Sequence, residues 1–304
     1  MSHAQHAQAS GLCFARAYAK INLTLDVLGR RADGYHELAT VMQTVDLYDT
    51  ICLAESQDGQ VHLHCDRPEL SNAENLAVRA AQLVRQRLNL RRGIVLELRK
   101  CIPMAAGLGG GSSDAATVLL ALQKWWQLPL TSHDLLDMAA SLGSDVPFFL
   151  SSGLALCEGR GERVTPLPPR WSTAWRWFVL VKPAISVSTA AVFGHLPASD
   201  YSDGAHSRAV VAAWQEGREA SPENLHNDLE RGVLERFSEV ARARNDLLSA
   251  GAELVRLSGS GPTLFAPFAT LAAAAQVHQD MQARGYEAYL TRAIYPTTGD
   301  ICHY

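Results

Sequence analysis

Apolar and polar positions change rhythm several times along the chain. Residues Leu12–Arg30 form two strand-like pieces with a break near Lys20, and Val41–Ala54 and Val61–His64 alternate as half-buried strands do. Over Asn75–Leu88 the period lengthens: Leu76, Ala80, Leu83, Val84 and Leu88 recur at helical spacing. Ile94–Leu98 predicts another strand. Asp114–Trp126 is apolar almost all round, the pattern of a helix covered on most sides. Ser132–Leu142 predicts a helix capped by Thr131 or Ser132 and stopped at Gly143. Leu154–Glu158 and Arg163–Thr165 are short strands.

A proline-rich stretch, LPPRWSTAW (Leu167–Trp175), then interrupts the pattern. Beyond it the chain predicts a strand at Trp177–Val181, a short helix from Ser188 to Phe193 and a mobile loop over Pro197–His206. Helices follow at Val210–Gln215 and Val233–Leu248. The end alternates: strand Glu253–Leu257, strand Thr263–Phe268, helix Leu271–Arg284, strand Glu287–Arg292. Interleaved strands and helices give an α+β class, with two domains expected at 1–172 and 173–304.

Composition narrows the function classes. The 304 residues are 47% hydrophobic and 19% charged, enough to build a sizeable core and too apolar for a disordered chain. A net charge of -4 disfavours a broad nucleic-acid surface. Six cysteines are scattered without a C-x-x-C pair, so neither a zinc site nor a disulfide framework is indicated, and reduced thiols in a cytoplasm are expected. The opening MSHAQHAQASGL lacks the basic and apolar regions of a signal peptide, and no apolar run is long enough to span a bilayer.

The chemistry concentrates in PMAAGLGGGSSDAATVLLAL, Pro103–Leu122. Three successive glycines cost backbone entropy, and one reason for them is that a ligand must approach the main chain. A helix starting near Ser112 exposes unpaired N–H groups and a partial positive charge, so glycines in front of it form an anion site. The plainer reading is a flexible turn capped by serine. No Gly-Lys pair occurs, which excludes a Walker A loop; the G-x-G-x-x-G spacing fails at Ser112; and H-R-D and D-F-G are missing, which excludes a protein kinase. Two further stretches stand out. LSGSGPTLF (Leu257–Phe265) places glycines between two strands, and AYAKIN (Ala17–Asn22) sets a lone lysine in an apolar strand. Such a lysine either snorkels at an edge or is held inside a site. His62 and His64 share a strand face without a third partner, so no metal site is read there, and the Trp125–Trp126 pair reads as core or interface.

Together, in this order, the three stretches resemble the motifs of the GHMP kinase superfamily of small-molecule kinases. AKINLTLDVLGRRADGYHEL (Ala19–Leu38), the long GLGGGSSDAA form and LGSDVPFF (Leu142–Phe149) resemble one branch of it. That branch uses ATP to phosphorylate the 2-hydroxyl of a cytidine-diphosphate derivative of methylerythritol in non-mevalonate isoprenoid precursor biosynthesis. The resemblance implies a ribosomal-protein-S5-like N-terminal domain, a ferredoxin-like C-terminal domain and a cleft between them. It makes Asp145 the general base for the substrate hydroxyl, where the residue alone also reads as a turn cap, and sets Lys20 opposite it. Pro147 is expected to hold Val146 extended and so stiffen the aspartate's segment. ATP would be held by Pro103, Gly107, Leu108, Gly109, Gly110, Gly111, Ser112 and Ser113, with Asn75 and Lys100 near its adenine and ribose. Asn22, Tyr35, His36 and Phe193 would hold the substrate, the last three at its cytidine, although aromatics are more often plain core. Gly259, Ser260 and Gly261 would close the far wall. Mg²⁺ would accompany the triphosphate and balance the charge of Asp114, but no residue is read as a metal ligand. The expected partner is a small molecule bearing a cytidine diphosphate group, with neither nucleic acid nor membrane involved.

Overall fold

The computed structural model describes residues 11–151, 153–170, 172–297 and 302–303; the first ten residues of the opening MSHAQHAQASGL lie outside them. The elements run β1 (Cys13–Asn22), β2 (Thr24–Arg30), β3 (His36–Ser56), β4 (Val61–Cys65), α1 (Leu76–Arg87), β5 (Gly93–Arg99), α2 (Gly110–Trp125), α3 (Ser132–Leu142), α4 (Val146–Ser151), β6 (Leu154–Gly159) and β7 (Arg163–Pro166). After the proline-rich stretch come β8 (Trp177–Lys182), α5 (Thr189–Gly194), α6 (Ala205–Gln215), β9 (His226–Asn227), α7 (Glu230–Arg236), α8 (Ser238–Ser249), β10 (Arg256–Leu257), β11 (Leu264–Phe268), α9 (Leu271–Ala283), β12 (Glu287–Arg292) and β13 (Cys302–His303).

Two sheets organise these elements. The larger has nine strands around the long β3, which pairs with β2 and β6 along its first half and with β1 and β5 along its second. The smaller is antiparallel in the order β10-β11-β8-β12. One core fills the space between the larger sheet and α1–α4, and a second lies under α7–α9 on the smaller sheet. A third joins the sheets, with Ile21 and Val41 on one side and Phe178, Leu180 and Phe265 on the other. That shared core fixes the cleft walls relative to each other, because close-packed interiors tolerate little displacement.

Several local expectations are corrected. The first strand pair breaks at Leu23, past Lys20, since Lys20 stays paired opposite Thr44 in β3. Helix α2 begins at Gly110, two residues before Ser112, with Gly109 as its left-handed cap. Val146 starts α4 instead of extending. Pro147 sits in the first turn, where its missing N–H costs nothing, and burial of Val146, Phe148 and Phe149 outweighs the local preference. The span 197–206 is structured: a 3₁₀ turn covers Ala198–Asp200, and the Ser202 hydroxyl bridges Asp26 (2.9 Å) and Asp228 (2.7 Å), sharing its one proton between them. The helix expected over Val233–Leu248 is two, because Phe237 is extended between α7 and α8. The paired tryptophans are both buried and stack at 5.9 Å.

Candidate active site

A cavity of about 1130 Å³ opens between the sheets. Its wall runs from Asn75, Lys100 and Pro103 along Gly107 and Gly109–Ser112, past Lys20, Asn22 and Asp145, to Tyr35, His36 and Phe193. Leu108, Ser113 and Gly261 do not line it; the first two are buried behind the loop. Every other residue named from sequence for ATP, substrate or catalysis reaches the cavity.

Lys20 is 3% exposed at the inner end of β1. Its ammonium donates to Asn22 Oδ1 at 2.6 Å and stands 3.4 Å from Asp145 Oδ2. Asn22 donates in turn to Thr40 Oγ1 (2.8 Å), and Thr40 donates to the Thr24 carbonyl (2.5 Å). This chain of bonds fixes the lysine head, as a buried charge requires. Asp145 keeps 31% of its side chain exposed to the cleft, so a hydroxyl can approach it.

The glycine loop is shaped by close packing. Gly107 has φ +75°, and a Cβ there would lie 2.2 Å from the Ser258 carbonyl oxygen. The Ser258 hydroxyl donates to the Gly107 carbonyl at 3.1 Å, so this loop and the Gly259–Gly261 turn meet backbone to backbone. Over the turn, Thr189 of α5 and Ser260 share a 2.8 Å hydrogen bond. Gly110, Gly111 and Ser112 form the first turn of α2 and line the cavity, and the N–H groups of a first turn lack intrahelical acceptors, an arrangement suited to phosphate.

Asn75 and Lys100 take roles the sequence did not reveal. Asn75 caps α1, accepting from the Ala77 N–H (2.9 Å) and donating to the Leu70 carbonyl (3.0 Å). The Lys100 ammonium is buried between Asp49 and Asp114, donating to Asp114 Oδ2 at 2.6 Å and to Asp49 Oδ2. One ammonium thus serves two carboxylates and offsets only part of the Asp114 charge, for which Mg²⁺ was the expected partner. Burial opposes the ammonium, but the two carboxylates outweigh it and hold the Lys100 pKa above its ordinary value. Burial likewise pushes the Asp114 carboxyl up to about 7, against the pull of Lys100.

At the far end His36 lies 5.2 Å from the Phe193 ring, with Tyr201 edge-on at 5.9 Å. Burial, aided by nearby Arg30, lowers the His36 pKa and favours the neutral ring. Tyr35 is 54% exposed, with the Arg160 guanidinium 5.0 Å from its ring centre. Asp49, Tyr201 and Arg160 were not anticipated from sequence.

A buried lysine, a facing carboxylate and a glycine-lined helix start between two sheets define a small-molecule kinase of the GHMP class. The family model for the GHMP kinases N terminal domain matches residues 75–153, and that for GHMP kinases C terminal matches residues 209–287. The chain belongs to the 4-diphosphocytidyl-2-C-methyl-D-erythritol kinase family. It is 41% identical over 287 residues to the protein of that name from Pelotomaculum thermopropionicum, covering 93% of this chain and 98% of the relative. It is 37% identical over 280 residues to the one from Alkaliphilus metalliredigens, covering 91% and 95%. A crystal structure of 4-(cytidine 5'-diphospho)-2C-methyl-D-erythritol kinase superposes with a TM-score of 0.78 at 34% identity, over 92% of this chain and 99% of that one. Homoserine kinase from Cytophaga hutchinsonii, at 21% identity and a TM-score of 0.70 over 97% and 98%, shares only the fold.

Proposed function

We propose that the chain transfers the γ-phosphoryl group of ATP to the 2-hydroxyl of 4-diphosphocytidyl-2-C-methyl-D-erythritol, giving the 2-phosphate and ADP in non-mevalonate isoprenoid precursor biosynthesis. The observation carrying this reading is the order of groups along one cavity: glycine-lined helix start, Lys20–Asp145 pair, aromatic cluster. A nucleoside triphosphate at the helix start and a pyrimidine among Tyr35, His36 and Phe193 would bring the alcohol between them to the pair.

In this reading the substrate oxygen forms a bond to the γ-phosphorus while the bond from phosphorus to the bridging oxygen of ADP breaks. The hydroxyl proton passes to Asp145. Lys20 orients that carboxylate and stabilises the charge spreading over the transferred group. A loose transition state lets proton removal come late, so positioning and electrostatics carry most of the barrier. The neutral His36 ring offers a donor and an acceptor to the base edge.

Mg²⁺ is proposed as the partner of the nucleotide's phosphates, where it neutralises their charge. Among the described residues no group of three or more His, Cys, Asp or Glu side chains could hold a metal ion, and we assign no protein ligand to it. No helix among the described residues is long and apolar enough to cross a membrane. The free thiols of Cys52, Cys65, Cys101 and Cys157 suit a reducing cytoplasm, which we propose as the location. The division at 172/173 is likewise a proposal, supported by the four-stranded sheet, which draws all its strands from the later segment.

An ADP-release assay with Mg-ATP tests the function, comparing the cytidyl substrate with homoserine, mevalonate and galactose. Turnover confined to the cytidyl substrate and lost in Asp145→Asn is expected; turnover with another alcohol instead would overturn the substrate assignment.

A further inference from the structure

The cluster behind the glycine loop holds an unbalanced charge. Lys100 contributes one positive group, while Asp49 and Asp114 contribute two carboxyls, and all three are buried. Asp49 is saturated: Oδ1 accepts the N–H groups of Cys101 (2.6 Å) and Ile102 (2.8 Å), and Oδ2 accepts from Lys100. Asp114 is not. Its Oδ2 accepts from Lys100, but Oδ1 is buried without a hydrogen-bond partner. A second uncompensated charge in such a place is costly, and a proton removes it. Asp114 Oδ1 is the carboxyl oxygen left to carry that proton.

The surroundings supply no alternative. Facing Asp114 are Asp49 from β3 and Lys100 from the end of β5. Lys20 of β1 is committed to Asn22 and Asp145. On α1, Arg79 and Arg87 are exposed and Arg85 donates to the Gly59 carbonyl; on α3, His133 and Asp137 are exposed and Asp134 caps the helix; α4 carries no charged residue. Glu74 is exposed at the cleft rim. The cluster is also next to the phosphate site. Asp114 lines the cavity, and the Lys100 ammonium lies 3.4 Å from the point a Cβ on Gly110 would occupy.

We propose that Asp114 is a proton-coupled positioning residue: binding of a nucleoside triphosphate at the start of α2 fixes a proton on Asp114, which leaves Lys100 and Asp49 as a balanced pair beneath the polyphosphate. The proposal rests on reading this end of the cleft as the nucleotide site. Incoming negative charge disfavours an ionised Asp114, so by linkage ligand binding and proton binding strengthen each other. The raised Asp114 pKa, with burial as its main cause, agrees in direction.

Calorimetry with the magnesium complex of a non-hydrolysable ATP analogue, in buffers of different ionisation enthalpy, measures the protons exchanged. For the wild type we expect uptake approaching about one proton above neutral pH, and affinity falling about tenfold per pH unit there. Asp114→Asn, permanently neutral and nearly the same shape, should bind with that uptake removed and the pH dependence flattened. Infrared difference spectra of the unmutated protein give a second readout: the analogue should add a carboxylic-acid C=O band at alkaline pH. Binding without proton uptake or this band, or uptake that persists in Asp114→Asn, would overturn the coupling alone. Absence of analogue binding at every pH would overturn the nucleotide reading and the coupling with it.

Discussion

The backbone N–H of Lys20 donates to the Leu108 carbonyl over 3.0 Å, stitching the strand that carries the buried ammonium to the loop that opens α2. Leu108 therefore anchors the loop to the core. Its side chain packs into the core between the sheets, and its carbonyl holds β1, so its place in the glycine motif is a packing requirement.

Gly109 tests how far that stitching sets the chemistry. It has φ +73°, and a Cβ there would stand 2.7 Å from Phe149 Cζ and 3.2 Å from Lys20 Cγ. A left-handed alanine alone costs about 1–2 kcal/mol. Gly109→Ala should lower the melting temperature and also displace Lys20, reducing kcat by more than the loss of folded protein explains. Gly111→Ala is the control for folding, because its Cβ would meet only Leu76 Cδ1, at 3.8 Å. Equal losses of stability in both variants would show that the clash at Gly109 is relieved elsewhere.

Lys20 and Asp145 should fail in different ways. Lys20→Met removes charge from the reacting centre, and loss of such electrostatic stabilisation costs about 10²-fold or more in kcat. Asp145→Asn keeps the shape but removes the proton acceptor, with an expected loss of about 10²–10⁴-fold. Single-turnover measurements at saturating ATP separate chemistry from product release. A wild-type rate in Asp145→Asn would remove the aspartate from the mechanism.

The aromatic end should act on only one substrate. Phe193→Ala removes a ring beside His36, and base–aromatic stacking contributes about 1–3 kcal/mol per base. KM for the cytidyl substrate should rise by roughly 5- to 150-fold on that basis while KM for ATP stays unchanged. A matching rise in KM for ATP would place the nucleotide, not the cytidine, at this end.

Much of this organisation was legible because it is local. The Thr131 cap and its reciprocal bond with Asp134, the helical stripe of α1 and the glycine stretch are written in neighbouring residues. What escaped depends on distant groups. Asp49 sits in an alternating strand where a charged position reads as the solvent face; it is buried because the turn after β5 brings two N–H groups and Lys100 onto it. The ion pairs of Lys100 were not legible because its carboxylate partners lie 51 and 14 residues away. Tyr201 was lost in a polar segment held by Ser202 bridging Asp26 and Asp228, carboxylates 176 and 26 residues away in the chain. The Val146 error has the same cause: burial of α4 overrode a nearest-neighbour rule.

His36 gives the last prediction, with a definite sign. Burial, and then Arg30, holds its folded pKa below the ordinary 6.5. A depressed value means that the folded state resists protonation. The contribution to stability is present above pH 6.5 and is lost as pH falls through the folded value. The neutral ring also keeps the acceptor that a protonated ring lacks. KM for the cytidyl substrate should therefore be level at neutral pH and rise only below 6.5. Arg30→Gln removes the repulsion, which should raise the His36 titration seen by NMR and move the rise in KM toward neutral pH with it. If the NMR midpoint rises and KM does not follow, His36 does not contact the base through its neutral acceptor.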